Sequence, residues 1–199
     1  MNYLAHIFLS GQNTGIQVGN FMGDAVKGHD YLHYPDNLRK GILLHRQIDS
    51  FTDFNDIVHR SKKRLHPRYG HYSGVIIDIF YDYFLSNNWH LFSEQELPVF
   101  ISDFYKTIQK NTDILPKRTQ KIIPSLISQD WLTKYGNYNG MNKVLIGMTK
   151  KIKHNVPLQL AIEDLKEKNK DLNQDFLEFF PLLQKHTQDT LIKLNNSLC

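Results

Sequence analysis

A chain of 199 residues, 41% hydrophobic and 22% charged, is long enough to bury a core and short enough for a single domain spanning 1–199. Lys and Arg outnumber Asp and Glu by 24 to 20, an excess too small to make nucleic acid an expected partner. The one cysteine, Cys199, rules out an intramolecular disulfide or a thiolate metal cluster. With no basic leader and no apolar run of roughly 20 residues, it points to a soluble cytoplasmic protein.

Apolar residues recur with helical spacing from end to end, which predicts an all-α, single-domain helical bundle. The expected helices cover about 2–10, 14–27, 36–51, 53–66, 71–88, 93–111, 116–130, 139–153 and 157–196. Gly11 and Gly28 close the first two, and Pro35, Pro116 and Pro157 stand near helix starts, where a missing N–H is tolerated. Ser93-x-x-Glu96 reads as a capping box. The segment 134–140 is a loop by composition, and Pro181 should kink or split the last helix near Phe180. Helices beyond residue 90 read as scaffold or docking surface.

Chemistry concentrates in the first 90 residues. His45, Asp49 and Asp53 follow one another at i, i+4 spacing among Ile42, Leu43, Leu44 and Ile48, so imidazole and carboxylate share one stripe of a largely apolar helix. Burying such groups needs a metal ion or a closed hydrogen-bonded network. Asp53 alternatively N-caps the next helix. Asp78, between Ile77 and Ile79, needs a ligand role or an Arg partner, and Asp82 one turn on reads as the exposed, structural member of that pair. Asp24 ends a Gly-Asn-x-x-Gly stretch where backbone can approach a ligand, or where Gly23 serves helix packing. His6 lies in a further apolar setting, whereas His29-Asp30 falls in a polar loop. Arg46 either clamps a phosphate or pairs with an acid. Arg60, Lys62, Lys63, Arg64 and Arg68 either dock an acidic surface or cap a helix C-terminus. No G-x-S-x-G, P-loop or G-x-G-x-x-G is present, so neither acyl-enzyme chemistry nor a nucleotide loop has local support.

Four segments together, Met1 to His6, Gly19 to Asp24, Gly41 to Asp53 and Asp78 to Leu85, followed by Trp89, resemble the bacterial acyl carrier protein phosphodiesterases. The resemblance is specific over about the first 90 residues. It implies removal of the 4'-phosphopantetheine arm from holo acyl carrier protein, the carrier of fatty acid biosynthesis, by a divalent-metal enzyme that prefers Mn²⁺ and is distantly related to the HD-domain phosphohydrolases. On that basis Asp24, His45, Asp49 and Asp78 are metal-ligand candidates, with His6 a further ligand or a base. Arg46 or Lys27 would neutralise phosphate charge. Acyl carrier protein would meet Arg60, Lys62, Lys63, Arg64 and Arg68 by charge complementarity. The acid follows His45 by four residues, a departure from the adjacent His-Asp of HD enzymes. A metal-dependent nucleotide phosphohydrolase and, further off, a basic helical binding module are the alternatives. Oligomeric state is not legible.

Overall fold

In the computed structural model, residues 1–149 and 156–197 are described, and among them every regular element is helical. The chain runs α1 (Tyr3–Phe8), α2 (Thr14–Phe21), α3 (Asp36–Phe54), α4 (Asp56–Tyr69), α5 (Ser73–Asn87) and α6 (Leu97–Lys110). Short helices follow, α7 (Lys117–Gln120), α8 (Ile123–Ser128) and α9 (Trp131–Lys134), then α10 (Tyr138–Thr149), α11 (Ala161–Glu167) and the long α12 (Asn169–Ser197). The all-α expectation therefore holds. Cys199 and the end of the helix expected over 139–153 lie outside the described residues.

Helix α5 is the axis of the core. Its Ile76, Ile77, Phe80, Tyr81, Phe84 and Leu85 are all buried, so it presents apolar side chains around most of its circumference. Helix α12 lies across α3, α4 and α5 and delivers Phe176, Phe179, Phe180 and Leu183, each fully buried. Burial on that scale stabilises the fold by roughly 1.5–3 kcal/mol per side chain. Pro181 is exposed within an unbroken α12, contrary to the expected kink or split. Buried Phe179, Phe180 and Leu183 hold both flanks of the proline in place. The break in the segment 157–196 comes instead at Lys168, between α11 and α12.

Three further local expectations change. Helix α2 stops at Phe21 and is followed by a 3₁₀ turn over Gly23–Ala25, which aims Asp24 away from the α2 axis. Ser93 is no helix cap: its Oγ accepts from Gln95 N at 3.1 Å, closing a turn before α6, whose N-cap is Glu96. Helix α3 runs through Asp53, and the N-cap of α4 is Asn55, whose side chain accepts from Ile57 N at 2.9 Å.

The crossing of α2 and α3 sets the frame for the site. A Cβ on Gly19 would collide with Leu38 O, and one on Gly41 with Ile16 O, so glycine on each side lets the two backbones touch. Helix α1 is tied to α5 by Asp82. That carboxylate is fully buried and accepts from Leu4 N at 2.8 Å and Ala5 N at 3.1 Å. The expected order of the acidic pair is thus inverted: Asp82 is interior and structural, while Asp78 is the half-exposed member and accepts from the Met1 ammonium at 2.9 Å.

Candidate metal centre

Helices α1, α2 and α3 bring His6, Asn20 and His45 together, and the turn after α2 adds Asp24. The imidazoles of His6 and His45 stack with centroids 4.1 Å apart and planes 22° from parallel. Space for the His45 ring exists because residue 23 is glycine; a Cβ there would strike the imidazole. Both histidines are buried, at 3% and 6% exposure, which makes the pairing of their nitrogens decisive.

Asn20, fully buried, sets both tautomers. Its Nδ2 donates to His6 O and to Ser10 Oγ, each at 2.9 Å, so its Oδ1 is the acceptor facing His6 Nδ1 at 2.8 Å. His45 Nδ1 lies 2.9 Å from Asn20 O, a carbonyl that can only accept. Each Nδ1 therefore carries the hydrogen, and each Nε2 of the neutral ring offers a lone pair to the cleft.

Those two nitrogens converge on carboxylates. His6 Nε2 is 3.2 Å from Asp49 Oδ1, and His45 Nε2 is 3.1 Å from Asp49 Oδ2 and 3.4 Å from Asp24 Oδ1. Despite these short distances, His45 Nε2 is buried without a properly directed hydrogen bond. One ligand atom from each of His6, His45 and Asp49 falls within 4.8 Å of the others. Atoms bound about 2.1 Å from a single ion lie roughly 3.0–3.5 Å from one another, close to the nitrogen–oxygen separations seen. Two neutral imidazoles and a carboxylate, with an orphaned nitrogen among them, fit a divalent cation.

Electrostatics agree with the geometry. Burial pulls the His45 pKa down, but the Asp24 and Asp49 carboxylates outweigh it and lift the value from 6.5 to about 9. Burial acts to raise Asp49, yet the two imidazoles hold its carboxyl well below the usual range. His6 is lowered, by burial first and then by the neighbouring His45. A field that favours a proton on His45 Nε2 also favours a metal ion there.

The cleft in front of this cluster has a volume of about 220 Å³ and is bordered by Tyr3, Phe21, Thr52, Asp53 and Asp78 as well as the cluster itself. Asp78 thus reaches the same cleft while paired to the Met1 ammonium. Asp53 is exposed and pairs with Lys62 Nζ at 2.9 Å. Arg46 turns away: its guanidinium donates to Val26 O at 3.2 Å and Gly28 O at 2.8 Å and sits 5.1 Å over the Tyr31 ring, bracing the loop beyond Asp24. Lys27 is exposed on that loop. Among the basic run, Arg60 binds Asp175 and Glu178, Arg64 binds Asp171 and Asp175, and Arg68 binds Asp164. Lys63 is exposed and makes no ion pair among the described residues. Asn20 is the residue whose role sequence reasoning missed; its place between Gly19 and the Phe-Met-Gly-Asp run was the available signal.

An all-α frame that gathers histidine nitrogens and carboxylates from separate helices at one cleft defines a class of helical hydrolase centres. Comparison with known proteins narrows it: residues 1–183 match the family model described as acyl carrier protein phosphodiesterase, and the chain belongs to that family of enzymes. The protein named acyl carrier protein phosphodiesterase in Photorhabdus laumondii is 28% identical over 190 residues, 95% of this chain and 96% of its own. Those of Yersinia enterocolitica and of Enterobacter sp. strain 638 are 28% identical over 193 residues and 29% identical over 182, covering 96% and 91% of this chain and 100% and 94% of theirs. No solved structure matches the chain. No helix of the described residues is long and apolar enough to cross a membrane.

Proposed function

We propose that the protein is a cytoplasmic, metal-dependent phosphodiesterase, one hydrolase domain over 1–199, that removes 4'-phosphopantetheine from holo acyl carrier protein. The observation that carries this reading is the convergence of two Nε2 lone pairs, fixed by Asn20, on Asp49. His6, His45 and Asp49 would hold the ion; Asp24 stands beside them, 3.4 Å from His45 Nε2, and Asp78 stands at the rim. Nitrogen and carboxylate donors without thiolate suit Mn²⁺, and also Fe²⁺ or Zn²⁺. Ligands carried on separate helices also fit a divergent HD-domain-like plan.

Once bound, the ion supplies a nucleophilic water near neutral pH and relief of charge on the phosphoryl oxygens. Asp24, at the solvent side of the cleft, is placed to accept the proton that water loses. Water attacks phosphorus as the bond to the carrier's serine oxygen breaks, and that oxygen takes a proton from solvent and leaves as the serine hydroxyl, balancing the proton passed to Asp24. Lys27 stands on the same loop to offset phosphate charge. Arg46 acts through the loop it braces, keeping Asp24 in position. The carrier approaches along α4, where Lys63 and the outward edges of Lys62, Arg60, Arg64 and Arg68 present positive charge.

Incubation with holo acyl carrier protein and Mn²⁺, followed by mass spectrometry, should show loss of the phosphopantetheine mass, and His45→Ala should abolish it while preserving helical circular dichroism. Turnover of nucleotides with none of the carrier would instead assign the centre to a nucleotide phosphohydrolase.

A further inference from the structure

A second cavity opens from the metal cleft. It is larger, about 530 Å³, and shares Tyr3, Asp24 and Asp78 with the cleft, then extends between α5 and the α9–α10 region. Trp131, Tyr135, Val144 and Met148 give it an apolar wall. Arg118, Lys134 and Lys143 also border it, and none of these three makes an ion pair among the described residues. They differ in this from Arg60, Arg64 and Arg68, which are neutralised by α11 and α12.

We propose that this cavity seats the pantetheine arm of the substrate, so that the phosphodiester lies over His6, His45 and Asp49 with the arm running toward α10 and the carrier on the other side. The inference rests on the function proposed above and specifies its substrate site. Continuity with the cleft places any group in the cavity next to the reacting phosphorus. The volume falls within the roughly 300–1,000 Å³ of small-molecule sites. The lining suits an extended chain of methylenes and amides, with Arg118, Lys134 and Lys143 available along the wall to meet its polar groups. Gly147 borders the cavity, and a Cβ built on it meets nothing within 4 Å, so a larger side chain is accommodated at the cavity edge without striking the helix bundle.

The test uses 4'-phosphopantetheine itself, with the metal-loaded full chain, read by Trp131 fluorescence and by calorimetry. The wild type should bind it, and Gly147→Phe should weaken binding by about tenfold or more, the loss expected from filling a ligand's volume. Ile146→Phe, one position earlier and exposed, serves as the control and should bind like the wild type. Equal affinity in Gly147→Phe and wild type, or no binding by wild type, overturns the proposal. Binding that is lost in Gly147→Phe, from a wild type that leaves holo carrier protein intact, would keep the arm site and refute the hydrolase reading, so the two failures are distinguishable.

Discussion

Asn20 carries more of the site than its size suggests. One side chain and its own carbonyl orient both imidazoles, and residues that fix a ligand's tautomer typically change metal affinity by roughly 10–100-fold when removed. Asn20→Ala should therefore weaken Mn²⁺ or Zn²⁺ binding by about that factor, measured by metal titration, while His6, His45 and Asp49 remain in place. An affinity equal to wild type would show that packing alone orients the rings. At this scale the sequence was partly legible. His45 and Asp49 sit one helical turn apart and were readable as a pair, but His6 is 39 positions from His45 and joins it only through the α1–α2–α3 crossing. Asp78 and Asp82 look alike in sequence because both sit among apolar neighbours on α5. What separates them is α1, whose first backbone N–H groups need an acceptor at Asp82.

Helix α4 carries a network of ion pairs and one cation that stands outside it. Arg60, Arg64 and Ser61 all converge on Asp175, which is 1% exposed. Asp175→Ala leaves those donors facing an apolar methyl, and should lower stability by roughly 2–4 kcal/mol in chemical denaturation, less than a fully enclosed ion pair because both arginines can hydrate. A change under about 0.5 kcal/mol would place the network among ordinary surface pairs. Lys63 lies outside the network, so Lys63→Glu should leave stability unaltered but reduce kcat/KM for the carrier a few-fold at low salt, with a flatter dependence on ionic strength. Parallel salt plots would remove α4 from the docking surface. Helix positions were mostly legible from periodicity; helix ends were less so, since Ser93 and Asp53 have capping chemistry yet the chain bends elsewhere, at Glu96 and Asn55.

For the whole molecule, the candidate metal centre couples stability to pH. His45 has a folded pKa near 9 against an ordinary 6.5. Its proton therefore stabilises the metal-free protein fully below about 6.5, and that contribution is lost as pH rises toward 9. A metal ion competes with that proton. Chelation should consequently lower Tm more at pH 8.5 than at pH 6.5, and metal binding at pH 7 should release a proton, measurable by calorimetry in buffers of different ionisation enthalpy. An identical chelation effect at both pH values would mean His45 does not hold the ion. The all-α class was legible because the 3.6-residue period persists along the chain, whereas the docking of α12 over α3, α4 and α5 left no local trace.

That docking has a consequence during synthesis. The His6–His45–Asp49 cleft is encoded before residue 50, yet Phe176 and Phe179, which cover Phe51, Tyr81 and Phe84, leave the ribosome long after it. Until α12 emerges, the nascent chain holds His6, His45 and Asp49 on an unroofed aromatic core, a state prone to self-association. Packing of the core therefore waits on α12, long after the residues of the cleft have been made.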